Sequence, residues 1–132
     1  MKAEDVKKIA MIGAGDMGHG IAASCLLGGY TVVLRDIDQK FVDKGVAGII
    51  KSLEKFKEKG KITPDAFAHA LVRLIPMVDL KEAVKDADFI IEAVPEKLEI
   101  KKSVFAEIDQ YAPKHAILAS NTSNISITEI AS

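Results

Sequence analysis

A six-residue segment with three glycines constrains the fold more than any other feature of the chain. Residues 13–18 read GAGDMG, and they directly follow a short apolar segment at residues 6–12. The segment after them has apolar residues at helical spacing and stops at two glycines, Gly28 and Gly29. This order predicts a buried strand, a tight glycine loop and a helix that begins at the loop.

An acidic residue completes the pattern. A second strand is predicted at residues 31–34, and Asp36 follows it. A glycine loop between strand and helix, with an acid after the next strand, is the dinucleotide-binding fingerprint. Gly13 permits the tight turn, Gly15 lets the backbone approach the pyrophosphate, and Gly18 lets the helix pack closely. We assign cofactor binding to Gly13, Ala14, Gly15, Asp16, Met17, Gly18 and Asp36.

The acid also bears on the choice of cofactor. Asp36 can accept hydrogen bonds from both ribose hydroxyls of NAD, and its charge would repel the 2′-phosphate of NADP. The neighbouring Arg35 could pair with that phosphate. Because Asp36 and Asp38 both oppose a phosphate there, the sequence favours NAD.

Strands and helices alternate along the rest of the chain. Apolar spacing predicts a long helix over residues 38–59, a shorter one from Thr63-Pro64 to about residue 74, and another over residues 98–111. Short strands are predicted at residues 75–78, 89–94 and 116–119. The order predicts an α/β fold of the Rossmann type, a doubly wound, mostly parallel sheet with a long helical pair inserted after the second strand.

Length and charge limit the class of protein. The 132 residues suit one domain, and a net charge of −1 predicts neither a nucleic-acid partner nor a membrane surface. No apolar run reaches the roughly 18 residues of a membrane span. The single cysteine, Cys25, cannot form an internal disulfide and is expected in the core. We therefore expect a reducing, cytoplasmic location.

The predicted long helix is rich in lysine. Seven lysines and four acidic residues lie within residues 38–61, and two glycines, Gly45 and Gly48, are unfavourable in a helix. The charge pattern suits a solvated helix face. It equally suits binding of a phosphorylated substrate, because Ser52, Lys55 and Lys59 are spaced by three and four residues and share one stripe.

The remaining polar residues give weaker indications of chemistry. None of His19, His69 and His115 is placed as a general base, although His19 could neighbour a phosphate. No cluster of His, Cys and acidic residues has the spacing of a metal site, so no metal is expected. Residues 120–123, SNTS, follow the last predicted strand, where doubly wound sheets bind ligands. They could form a turn or present hydroxyl groups to a substrate or nicotinamide.

Four sequence blocks together are similar to one enzyme family. They are IGAGDMGHGIA at residues 12–22, TVVLRD at 31–36, EAVPEKLEIKKSVF at 92–105 and ASNTSNISITEIA at 119–131. Their order and spacing resemble those of the L-3-hydroxyacyl-CoA dehydrogenases, which include the 3-hydroxybutyryl-CoA dehydrogenases. The chain resembles the amino-terminal NAD-binding domain of that family over almost its whole length.

The resemblance implies a reaction and a set of site residues. The reaction is oxidation of a 3-hydroxyacyl-CoA to the 3-ketoacyl-CoA with NAD as hydride acceptor, or the reverse, in fatty acid β-oxidation or butanoate metabolism. Glu96 and Lys101 match positions on the nicotinamide side of the cofactor. Ser123 matches a serine that contacts substrate and cofactor and orients the 3-oxygen, so it is the candidate catalytic residue. Ser52 and Lys59 match positions that contact the CoA moiety.

The resemblance also implies parts that lie beyond Ser132. These are the catalytic histidine, its glutamate partner and a helical carboxyl-terminal domain through which a homo-oligomer is expected. We therefore interpret residues 1–132 as an NAD-binding domain that is incomplete at its carboxyl end, and expect it to bind NAD without turning over substrate alone. Two alternatives stay open: a stand-alone NAD-binding module without catalysis, and a related 3-hydroxyacid dehydrogenase.

Overall fold

A parallel sheet with helices on both faces forms the described part of the chain. The computed structural model describes residues 7–93 and 98–120. The strands are β1 (Lys8–Ile12), β2 (Thr31–Arg35), β3 (Leu74–Met77), β4 (Phe89–Glu92) and β5 (Ile117–Ser120). The helices are α1 (Asp16–Leu27), α2 (Gln39–Glu58), α3 (Pro64–Val72), α4 (Leu80–Val84) and α5 (Leu98–Tyr111).

The strand order is β3-β2-β1-β4-β5, and the four pairings between these strands are parallel. This arrangement confirms the predicted α/β fold of the Rossmann type. The predicted helical pair is α2 and α3, which lie between β2 and β3 in the chain. After β3, which lies at one edge, the chain passes to β4 on the opposite side of β1. The direction in which strands are added therefore reverses at β1, and sheets of this type bind ligands at that point.

Alternate residues of the central strands face opposite sides of the sheet. On β1, Ile9 and Met11 pack with residues of α1, α2 and α3, whereas Ala10 and Ile12 pack with residues of α4 and α5. Strand β2 alternates in the same way. Because helices cover both faces, these strands read as apolar runs in the sequence.

Side-chain caps and one glycine set the ends of the helical pair. The Asp38 carboxylate accepts a first-turn N–H at 3.0 Å and starts α2, and Gly60, with a φ of 71°, follows the end of that helix. Thr63 Oγ1 accepts the Ala66 N–H at 3.0 Å and starts α3 with Pro64 in its first turn. Both helices therefore begin where the sequence predicts them.

Some boundaries differ from the predicted ones. Helix α3 ends at Val72 rather than near residue 74, and β3 begins one residue earlier than predicted. The reason is pairing: the Val32 N–H donates to the Arg73 carbonyl at 3.0 Å, which brings Leu74 into register with β2. Strand β4 ends at Glu92 rather than at residue 94, which lies outside the described residues.

Candidate dinucleotide-binding site

The glycine loop joins β1 to α1 by a turn that brings its backbone against the helix. Gly13 has a φ of 114°, in the left-handed region that favours glycine, and its N–H donates to the Arg35 carbonyl at 2.8 Å. A Cβ added to Gly18 would lie 1.9 Å from the Gly13 carbonyl oxygen. No side chain fits in that distance, so glycine is what allows α1 to start so close to β1.

The backbone at Gly15 leaves open space in front of α1. Gly15 is the N-cap of this helix, and no side chain in the described part of the chain caps it. A Cβ built on Gly15 would have no atom within 4 Å. First-turn N–H groups and the positive end of the helix dipole face such a space. A dinucleotide pyrophosphate therefore fits here without a cationic side chain.

The Asp36 carboxylate is tied to this loop. Its Oδ2 accepts the Ala14 N–H at 2.9 Å, and its Oδ1 accepts the Ile37 N–H at 2.7 Å. The two bonds fix the orientation of the carboxylate, and a carboxylate oxygen can accept more than one hydrogen bond. The group can therefore accept hydrogen bonds from two ribose hydroxyls as well.

Of the other predicted loop residues, Asp16 begins α1, Ala14 is buried, and Met17 is exposed.

The Arg35 guanidinium is directed toward β3 rather than toward the glycine loop. Its Nε donates to the Val78 carbonyl at 2.8 Å. Partial burial lowers the pKa of Arg35, and the carboxylates of Asp36, Glu107 and Asp79 partly offset this effect. Arg35 lines a cleft of about 300 Å³ on the α5 side of the sheet, together with Glu99 and Glu107. A 2′-phosphate in that cleft would face acidic side chains, which again favours NAD.

A second cleft, of about 340 Å³, lies between α1 and α2 beside the loop. It is lined by Ala14, Gly15, His19, Asp36, Phe41, Lys44 and Gly48. The His19 ring packs on the backbone of α2, because a Cβ on Gly48 would lie 2.9 Å from ring atoms. The cleft thus has an imidazole and a lysine side chain in the same lining as Gly15, where either can contact an anion.

A buried ion pair lies on the other side of the loop. Lys101 Nζ, on α5, is 3.0 Å from both carboxylate oxygens of Glu92, and the two side chains are 1% and 0% exposed. Glu92 ends β4, in register with Ile12 at the end of β1 and with Ser120 at the end of β5. The carboxylate therefore lies at the carboxyl edge of the sheet, across β1 from Asp36.

The residues matched to the CoA moiety lie on α2 or directly after it. Ser52 is partly buried on α2, and Lys59, which follows the last residue of the helix, is exposed. Lys44 and Gly48 precede Ser52 at four-residue spacing, so the cleft and Ser52 share one face of α2. By contrast, the Lys57 ammonium lies 4.4 Å from the centre of an aromatic ring of α3.

The described residues contain neither a metal site nor a reactive thiol. Residues 7–93 and 98–120 contain no group of three or more His, Cys, Asp and Glu that could hold a metal ion. Burial raises the pKa of the Cys25 thiol, which packs against the core, so the thiol is protonated at neutral pH. Among the described helices, none is long and apolar enough to cross a membrane.

Comparison with known proteins identifies the domain. Residues 8–132 match the family described as 3-hydroxyacyl-CoA dehydrogenase, NAD binding domain. The chain belongs to this family. NAD is accordingly its cofactor, as the sequence predicted.

Similar proteins share the fold and much of the sequence. A probable 3-hydroxybutyryl-CoA dehydrogenase of Deinococcus radiodurans is 44% identical over 124 residues, which are 94% of this chain and 44% of that protein. The glyoxysomal fatty acid beta-oxidation multifunctional protein MFP-a of Brassica napus is 38% identical over 125 residues, 95% of this chain and 17% of that protein. The crystal structure of (S)-3-hydroxybutyryl-CoA dehydrogenase from Ralstonia eutropha has a TM-score of 0.89 at 37% identity and is matched over 96% of this chain and 44% of its own. The chain thus spans less than half the length of these relatives.

Two residues that the family resemblance assigns to the site, Glu96 and Ser123, lie outside the described residues. Their roles stay predictions. The described contacts bring together the glycine loop and Asp36, and they pair Lys101 with Glu92. No described contact joins Ser52 or Lys59 to the loop.

Sequence reasoning missed the glycines of α2 and the partner of Lys101. A Cβ on Gly45 would lie 2.7 Å from the Ala14 Cβ, so Gly45 lets α2 pack directly on the glycine loop. From the sequence, Gly45 and Gly48 only weaken the prediction of a helix. Glu92 gave one available signal, a charged residue within the apolar strand FIIEAV.

Proposed function

We propose that this domain is the NAD-binding part of an enzyme that interconverts 3-hydroxyacyl-CoA and 3-ketoacyl-CoA. The observation that carries the proposal is the open space at Gly15 beside the fixed Asp36 carboxylate. The helix N-terminus suits a pyrophosphate, and the carboxylate suits the ribose hydroxyls. Bound NAD supplies the hydride acceptor. The substrate class comes from the relatives, which are named for 3-hydroxyacyl-CoA chemistry.

Several of the predicted site residues have distinct roles within this proposal. Gly13 and Gly18 shape the loop, and Asp36 orients the adenosine ribose. Glu96 and Lys101 contact the nicotinamide side of the cofactor. Ser123 donates a hydrogen bond that orients the 3-oxygen of the substrate. The proton of that oxygen must go to a base, which the family resemblance assigns to a histidine beyond Ser132.

The α2 face supports a site for the phosphates of CoA. The α1–α2 cleft contains Lys44, and the same face continues through Ser52 and Lys55 to Lys59. The ammonium groups of Lys55 and Lys59 and the hydroxyl of Ser52, which share one stripe, can bind a phosphorylated, nucleotide-like tail. A solvated surface is the competing interpretation, and the response of these residues to acyl-CoA distinguishes the two.

Calorimetry with NADH and NADPH tests the cofactor site. We expect the parent chain to bind NADH more tightly, and Asp36→Ala to narrow the difference, because the carboxylate both accepts the ribose and repels the 2′-phosphate. Asp65→Ala, an exposed acid on α3, serves as the matched control and should leave both affinities unchanged. Equal or tighter binding of NADPH by the parent would contradict the proposal.

Acyl-CoA titration tests the substrate class and the alternative of a module without chemistry. In the presence of NADH, 3-hydroxybutyryl-CoA should perturb the NMR resonances of Ser52, Lys55 and Lys59, and the effect should weaken with added salt. A module that only binds NAD would give unchanged spectra. Cytoplasmic location and assembly into a homo-oligomer stay predictions beside this proposal.

A further inference from the structure

The imidazole of His19 packs between α1 and α2, at a position where α2 has no side chain. A Cβ on Gly48 would lie 2.9 Å from the Cδ2, Cε1 and Nε2 atoms of the ring. Glycine is unfavourable inside a helix, so α2 gives up helix propensity at the residue that admits the ring. No residue in the described ranges 7–93 and 98–120 forms a hydrogen bond or ion pair with this ring. The imidazole can therefore donate a hydrogen bond to a ligand.

The net charge of the α1–α2 cleft depends on the protonation of His19. Among the described residues that line the cleft, the titratable ones are His19 from α1, Lys44 from α2 and Asp36 after β2. The lysine and the aspartate have opposite charges, so their sum is zero while the imidazole is neutral. Protonation of the imidazole makes the sum positive. An imidazole ordinarily changes its charge between about pH 5 and 8, so the cleft should attract an anion more strongly in the lower part of that range.

We infer that the α1–α2 cleft binds a phosphate group of a nucleotide ligand and that His19 makes this binding dependent on pH; the inference rests on the proposed function. Gly15 belongs to the same lining, so an anion in the cleft lies beside the first-turn N–H groups of α1. A charge-assisted hydrogen bond from an imidazolium is stronger than one from a neutral imidazole. Lys44 adds to the attraction, and Asp36 reduces it. The ligand should therefore bind more tightly when His19 is protonated.

Two ligands of the proposed enzyme carry a suitable group, because NAD and CoA each contain a pyrophosphate diester. Gly15 and Asp36 in the lining favour NAD, whereas the α2 face that continues from Gly48 to Ser52 favours CoA. NAD⁺ and dephospho-CoA distinguish the two sources. Neither contains a phosphate monoester, whose own titration near about pH 6 would be superimposed on that of the imidazole.

Calorimetry of the parent chain with NAD⁺ and with dephospho-CoA, between about pH 5.5 and 8.5, tests the inference. The affinity for at least one ligand should rise about tenfold toward the acid end, because a hydrogen bond to a charged group contributes roughly that factor to an equilibrium constant. In His19→Gln, which keeps a polar side chain but cannot titrate, the rise should disappear, and the ligand that loses it is the source of the phosphate. His69→Gln, at an exposed histidine on α3, is the matched control and should keep the rise.

Gly48→Ala gives a second variant that leaves every titratable group in place. Its Cβ would lie 2.9 Å from three ring atoms, so the imidazole must move and the rise in affinity should become smaller. Equal affinities of the parent at both ends of the pH range would overturn the inference, and so would a rise that persists in His19→Gln. A folded Gly48→Ala chain that keeps the full rise would overturn it as well, whether or not His19→Gln folds. A parent chain that binds neither ligand at any pH would instead refute the proposed function.

Discussion

Alanine in place of three neighbouring glycines should separate packing from ligand binding. At Gly18, the new Cβ would lie 1.9 Å from the Gly13 carbonyl oxygen, whereas at Gly15 and Gly20 it would have nothing within 4 Å. Gly15 faces the proposed phosphate space, and Gly20 is exposed on α1. The same added methyl group therefore meets backbone at one position, ligand space at the second and solvent at the third.

The geometry sets the size of each effect. In Gly18→Ala, a contact of 1.9 Å must widen past 3.0 Å, so α1 and the loop must separate by more than an ångström. Overpacking lowers the free energy of unfolding by about 1–3 kcal/mol, and the higher helix propensity of alanine relative to glycine raises it by up to about 1 kcal/mol. Because backbone atoms clash, we expect a net loss of about 2 kcal/mol, or a decrease in Tm of about 6–10 °C. Gly20→Ala has only the propensity gain and should raise stability by up to about 1 kcal/mol.

Thermal unfolding followed by circular dichroism, together with NADH titration, measures both effects. Gly15→Ala should unfold like the parent, because its φ of −68° suits alanine, yet should bind NADH at least about tenfold more weakly. Gly20→Ala should bind NADH normally. The reasoning fails if Gly18→Ala is as stable as the parent, or if Gly15→Ala binds NADH as the parent does.

Three other side chains give shorter tests. Asp36→Asn should lower NADH affinity about tenfold in calorimetry, because the new amide group must face one of the two N–H groups that the carboxylate accepts. Lys59→Glu should weaken the salt-dependent response of α2 to acyl-CoA in NMR titrations. An unchanged response would support the interpretation of this α2 face as a solvated surface that does not bind CoA. The pKa of Asp88 is lowered from 3.8 by the hydrogen bond from His115 and then by two backbone N–H groups. Because the pKa is lower in the folded state, this stabilisation is present above the unfolded pKa and is lost as pH falls through the folded pKa. In Asp88→Asn, the free energy of unfolding measured in urea should therefore decrease less steeply as pH falls below about 4.

The elements and their order could be predicted because their signals are local. Caps such as Asp38 and Thr63 and the glycine loop act within a few residues, so spacing in the sequence reveals them. Strand ends are less accessible. The start of β3 at Leu74 depends on pairing with Val32, a contact between residues distant in sequence.

The same distinction applies to the site. Asp36 could be recognised from the sequence as an acid after the second strand. Its hydrogen bond to the Ala14 N–H, and the pairing of Glu92 with Lys101, depend on the three-dimensional packing of the sheet and helices. Gly48 illustrates the limit most clearly. Helix propensity counts it as unfavourable, whereas the His19 ring against α2 leaves no room for a side chain there.

The two edges of the sheet differ in their capacity to accept another strand. Strand β3 forms one edge and contains Pro76, which has no backbone N–H to donate and is tolerated at edges rather than in central strands. Strand β5 forms the other edge of the described sheet, and each of its residues has a backbone N–H. Strand addition, from this polypeptide or from another, is therefore directed to β5. Any enlargement of the sheet would therefore occur beside β5, on the same side of β1 as β4.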